Sequence, residues 1–164
     1  MKIQIKKGDG KPSILTCIRK DGSTSWAKLY PGMEAHDLAH YIVETILGFE
    51  NAFYGMVAKG IDIADFEIPR EQRPETVIPQ NLPPESLVTE HLVNLLLVKW
   101  QSGEETLDLS MALKPILEEH KLPYPTQLNA ITQQQIWQEF TTLLARWDQL
   151  PPGEIIEFDF EVSL

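Results

Sequence analysis

Positive charge is in deficit: 14 lysines and arginines stand against 24 aspartates and glutamates, a formal net charge of −10. Nucleic-acid backbones are neutralised by clustered Lys and Arg, so this balance argues against nucleic acid as a partner and equally against an anionic membrane surface. Cysteine occurs once, at Cys17, which leaves no internal disulfide and favours packing as a small hydrophobe. The longest apolar run, 92–100, is broken by Asn94 and Lys99 and is far shorter than the ~20 residues of a membrane span. The opening MKIQIKKGDG lacks the apolar stretch of a secretion signal, so a cytoplasmic protein is expected. Glycine-rich phosphate loops, a Gly-x-Ser-x-Gly elbow and a Cys-x-x-Cys pair are also missing, and with them the usual marks of nucleotide-dependent transfer, triad hydrolysis and thiol redox chemistry.

What is there suffices for one domain. A chain of 164 residues, 43% hydrophobic, can bury roughly 70% of its unfolded surface around a single core. Ile3 and Ile5 alternate with polar neighbours, and a second and third strand follow at 13–20 and 23–29. Asp21-Gly22 between them predicts a two-residue hairpin turn. That turn sets Cys17 opposite Trp26 and Ile14 opposite Leu29, with Ile14, Thr16, Ile18, Ala27 and Leu29 on the face under the helices. At the other end Ile156, Phe158, Phe160 and Val162 alternate with Glu157, Asp159 and Glu161. An acidic row of that kind calls for a basic neighbour, and Lys2 and Lys6 on the first strand supply one.

The fold expected over 1–164 is therefore α+β, one domain with an antiparallel sheet of about four strands, three amino-terminal and one carboxy-terminal, packed on four or five helices. The helices are expected at 35–47, around Phe49 to Val57, at 85–101 running through the middle of the domain, at about 110–119 with Pro115 inside, and in a last helix opened by a Thr132-x-x-Gln135 capping box. Residues 62–84, with five prolines, are expected to form a long irregular loop.

One helix carries the chemistry. Over 35–47, Leu38, Ala39, Ile42, Val43, Ile46 and Leu47 fall on one apolar arc, and His36, His40 and Glu44 follow one another a turn apart along its edge, with Asp37 beside them. A His-x-x-x-His pair places two nitrogens on one divalent metal such as zinc, and a carboxylate can be a third ligand or an orienting partner. His91, with Glu90, is the candidate to complete the site from the helix at 85–101. His40 ranks above His36 as the ligand, and the site is expected to open into a cleft bounded by Phe53, Tyr54 and the 62–84 loop. Compared with the zinc-protease motif His-Glu-x-x-His, Asp37 replaces the glutamate, which weakens the protease reading. Metal binding with metal-assisted hydrolysis thus stands against a non-catalytic interaction or structural module in which the same histidines only satisfy buried neighbours. The small-molecule or protein partner is undetermined.

The segment 36–55 resembles an uncharacterised bacterial family with a His-Asp-x-x-His-x-x-Val-Glu helix and a following Gly-Phe-x-x-x-aromatic-aromatic-Gly stretch. The matching residues here are His36, Asp37, His40, Val43 and Glu44, then Gly48, Phe49, Phe53, Tyr54 and Gly55. The ending at 147–160, with its Trp, Leu-Pro turn and final strand, is similar to the way such proteins close. The resemblance implies no function, since the family has none assigned.

Overall fold

The computed structural model describes residues 1–103 and 108–162. The alternating stretches become β1 (Lys2–Lys6), β2 (Ser13–Ile18), β3 (Thr24–Leu29) and β4 (Ile155–Asp159). These pair antiparallel in the order β3-β2-β1-β4, so the first and last strands are neighbours, as their complementary charges lead one to expect. Lys2 pairs with Glu157 and lies 3.8 Å from Asp159, and the Gln4 amide donates to Glu157 at 2.7 Å. Lys6 stands across from Ile155 instead of an acid. These exposed contacts match charges along the pairing and add little to stability.

The hairpin differs from its expected register. Its loop has three residues, 20–22: the Arg19 N–H bonds the Ser23 carbonyl at 2.9 Å, and the Gly22 N–H returns to the Arg19 carbonyl at 3.0 Å. Gly22 takes φ 84°, which the absence of a Cβ permits, and the Asp21 carboxylate accepts from the Ser23 N–H and hydroxyl at 2.9 and 2.7 Å. The added residue puts Cys17 opposite Ser25 and Ile14 opposite Lys28. With a side-chain period of two, that shift turns β2 over. Leu15 and Cys17 face the core with Ala27 and Leu29, while Ile14, Thr16 and Ile18 lie half-buried on the open face beside the exposed Trp26. Burial pushes the Cys17 thiol up to about 12, so it packs as an inert hydrophobe.

The helices are α1 (Met33–Leu47), α2 (Phe53–Ala58), α3 (Ile63–Glu67), α4 (Pro84–Gln101), α5 (Leu109–Glu119) and α6 (Ala130–Gln149). Leu38, Ala39, Ile42, Val43 and Leu47 of α1 share one core with Ile3, Ile5, Leu15 and Ile156 of the sheet, and α4 and α6 both pack along α1. The central helix is therefore α1. In α4, Val88, Leu92, Val93 and Leu96 are buried but Val98 is 61% exposed, so only one side faces inward. The capping box of α6 lies three residues earlier than expected, with Asn129 as N-cap and Thr132 reciprocating. Among the described residues no helix is long and apolar enough to cross a membrane.

Residues 62–84 are more regular than their prolines suggest. Besides α3 they hold 3-10 turns at Arg70–Gln72 and Glu75–Val77. Pro69 and Pro74 immediately precede those turns and Pro84 opens α4, where a fixed φ assists the first helical position. The start of the segment is fastened to the hairpin. The Arg19 guanidinium donates to the carbonyls of Val57 (2.7 Å) and Ile61 (2.8 Å) and to Asp62 (2.9 Å), and the Ile63 N–H donates to the Ser25 hydroxyl at 2.8 Å. The short α3 is thereby held against β3, beside the histidines of α1.

Candidate metal centre

His36 and His40 stand one turn apart on α1 with ring centroids 4.7 Å apart. Because α4 runs along α1, it brings Glu90 to the same point. Glu90 Oε1 lies 3.2 Å from His40 Nε2, and Oε2 lies 3.8 Å from His36 Nε2. One ligand atom from each of the three residues falls within 4.8 Å of the others. Ligands about 2.1 Å from a tetrahedral ion stand about 3.4 Å from one another, so a modest contraction would close this group on a metal.

The other ring nitrogens are held from within α1. His36 Nδ1 lies 3.2 Å from Asp37 Oδ1, and His40 Nδ1 lies 3.2 Å from Glu44 Oε1. Each imidazole thus has its own carboxylate on Nδ1 and directs Nε2 at Glu90. A carboxylate behind a histidine fixes the ring, sets the tautomer and raises its basicity toward a ligand. In this geometry Asp37 and Glu44 stand behind the rings, and Glu90 is the third residue that could supply a ligand atom.

Glu44 has a second task. Its Oε2 accepts the N–H groups of Tyr54 (2.9 Å) and Gly55 (3.2 Å), donors at the start of α2 that have no partner within the helix. Gly55 is required there, because a Cβ would collide with the Glu50 carbonyl. The Tyr54 hydroxyl donates to the Asp37 carbonyl at 3.3 Å. The Glu44 carboxylate is thus tied to α2 as well as to α1, and the backbone of Asp37 is tied to α2 through Tyr54.

Burial works against a charge on His40, but the hydrogen bonds that its ring donates to Glu44 and Glu90 outweigh it and carry its pKa up to about 10. His36 is raised for the same reason, burial being outweighed by Asp37 and Glu90. Burial likewise opposes ionisation of Glu90, yet the two imidazoles hold its carboxyl well below the usual range. Glu44 is shifted the other way: burial raises it more than His40 and the two N–H groups lower it. Without a metal, these shifts favour protonated imidazoles facing an ionised Glu90.

The group forms one end of a cavity of about 330 Å³. Phe53 is in its wall, as expected, and so are Ile63 and Phe66 of α3, where the 62–84 segment begins. Tyr54 is not, being fully buried behind. The exposure of the two histidines reverses the expected ranking, since the His36 side chain is 25% exposed and that of His40 only 3%. Their Nε2 atoms nevertheless face the same carboxylate. His91 lies outside the group, its ring 4.9 Å from that of His120, because residues 90 and 91 point about 100° apart around α4. Phe66 of the cavity wall has only a weak sequence signal, the i, i+3 spacing of Ile63 and Phe66, which the surrounding prolines obscure.

Comparisons with family models, with curated proteins and with solved structures each gave no match to this chain.

Proposed function

We propose that His36, His40 and Glu90 bind a divalent metal ion such as zinc, and that this centre serves metal-assisted hydrolysis in the adjoining cavity. The observation that carries the reading is the pairing of each ring's Nδ1 with a separate carboxylate while both Nε2 atoms turn to a third. Two imidazoles and one carboxylate suit zinc, and three protein ligands leave a position for water. Bound there, zinc would bring the pKa of that water to about 7 and polarise a carbonyl. His36, His40 and Glu90 all line the cavity, so an open position has somewhere to face.

A second reading rests on a different observation: no buried side-chain nitrogen or oxygen among the described residues lacks a partner, and the three groups already satisfy one another. On that view the network is a structural joint between α1, α2 and α4. Protein prepared without a polyhistidine tag and stripped with chelator separates the two. Metal binding predicts that added zinc raises the melting temperature progressively with the free zinc concentration, and that His36→Gln and His40→Gln remove the response. An unchanged melting temperature with zinc, together with destabilised glutamine variants, would leave the structural joint.

A further inference from the structure

The cavity has a division of character that the metal reading alone does not use. At one end are the two histidines, Asp37 and Glu90; apart from Lys28 and Glu67 the remaining lining is apolar, with Leu15, Ala27 and Leu29 of the sheet and Ile63 from α3. Aromatic rings lead away from the centre in sequence, His40 to Phe53 at 5.7 Å between centroids and Phe53 to Phe66 at 5.3 Å, the latter pair edge-on. At the mouth Tyr30 and Met33 are 66% and 42% exposed, two of the large apolar side chains that this protein leaves in water. A volume of 330 Å³ is at the small end of ligand sites and excludes a folded partner or a long peptide.

Charge narrows the class further. Neutral His36 and His40 with an ionised Glu90 would leave a divalent ion one net positive charge, which suits one anionic oxygen-bearing head. A dianionic phosphate is disfavoured, because beyond the three ligands Asp37 and Glu67 line the cavity against one basic side chain, Lys28. We infer that the cavity takes a small molecule in which an aromatic or branched apolar group is joined to a monoanionic two-oxygen head, such as a carboxylate. The head binds at the His36–His40–Glu90 end and the apolar group lies against Phe53 and Phe66. This inference rests on the metal reading and adds the ligand class to it.

The test runs in two stages so that the two ideas fail separately. Zinc is first titrated calorimetrically into chelator-stripped protein; absence of binding overturns the metal reading and this inference with it. Acetohydroxamate, benzohydroxamate and phenyl phosphate are then titrated into the zinc-loaded protein. The hydroxamates present the same two-oxygen head with and without a ring. The expected result is that benzohydroxamate binds at least about tenfold tighter than acetohydroxamate, about 1.4 kcal/mol, with phenyl phosphate weaker than both. Phe66→Ala should erase the preference while leaving zinc affinity unchanged. Zinc binding accompanied by equal affinities for the two hydroxamates, or by tightest binding of phenyl phosphate, would overturn the ligand class and leave the metal centre standing. The wild-type comparison needs no variant to fold.

Discussion

Glu90 on α4 holds a carboxylate oxygen 3.2 Å from Nε2 of His40 on α1, and this contact joins two helices whose other shared contacts are largely apolar. Its partners differ in exposure. The His40 side chain is 3% exposed, whereas that of Glu90 is 45% exposed and borders the cavity. A half-exposed carboxylate facing a sealed imidazole is well placed to exchange a proton-shared contact for a shared metal ion.

Glu90 and Glu44 should therefore respond oppositely to replacement. Glu90→Gln keeps an acceptor near His40 on a half-exposed side chain and should cost the metal-free protein about 1–2 kcal/mol, less than the loss at Glu44, while weakening zinc binding at least ~100-fold. Glu44→Ala leaves the Tyr54 and Gly55 N–H groups buried without an acceptor and should cost about 2–5 kcal/mol. Urea denaturation of both variants with chelator present, paired with zinc titration, reads the contrast. Equal losses of stability would mean that Glu90 is as structural as Glu44.

The pH dependence should change sign with metal. In the metal-free protein His40 is raised from an unfolded value of about 6.5 to about 10. A group whose folded pKa lies above its unfolded one contributes its full stabilisation below the unfolded value and loses it as pH rises toward the folded one. The metal-free protein should thus lose stability between pH 6.5 and about 10. Zinc must displace the protons on His40 and His36, so its affinity should rise with pH on the alkaline side of neutrality. Melting temperatures across this interval, with chelator and with excess zinc, test the divergence. Parallel curves would remove the coupling.

The corrected hairpin register makes a third prediction. Leu15 is fully buried and Ile14 is half-exposed on the open face. Leu15→Ala should cost about 2–5 kcal/mol and Ile14→Ala less than about 1 kcal/mol. The two-residue turn would give the reverse order, so thermal denaturation of this pair of variants decides the register.

Much of the fold was legible because hydrophobic period and charge both act locally. The alternation of Ile3 and Ile5, the alternation of Ile156 and Phe158, and the Lys2–Glu157 complementarity sufficed to join the terminal strands. Register in β2 was not legible, since Asp21-Gly22 serves a two- or three-residue loop equally well and only the Arg19–Ser23 pairing distinguishes them. In the site, the i, i+4 spacing of His36, His40 and Glu44 was readable, but the division of work among their partners was not. Glu44 turns to α2 because α2 folds back over it, and Glu90 rather than His91 meets the histidines because of the rotation of α4 about its axis. Both are tertiary facts with no local signature.

The most direct test of the metal centre is anomalous diffraction at the zinc edge from crystals of untagged protein grown with stoichiometric zinc. One peak per chain is expected about 2.0–2.2 Å from His36 Nε2, His40 Nε2 and a Glu90 oxygen, with Asp37 and Glu44 still on the Nδ1 atoms. An absence of anomalous density there, with His40 Nε2 still 3.2 Å from Glu90, would contradict it.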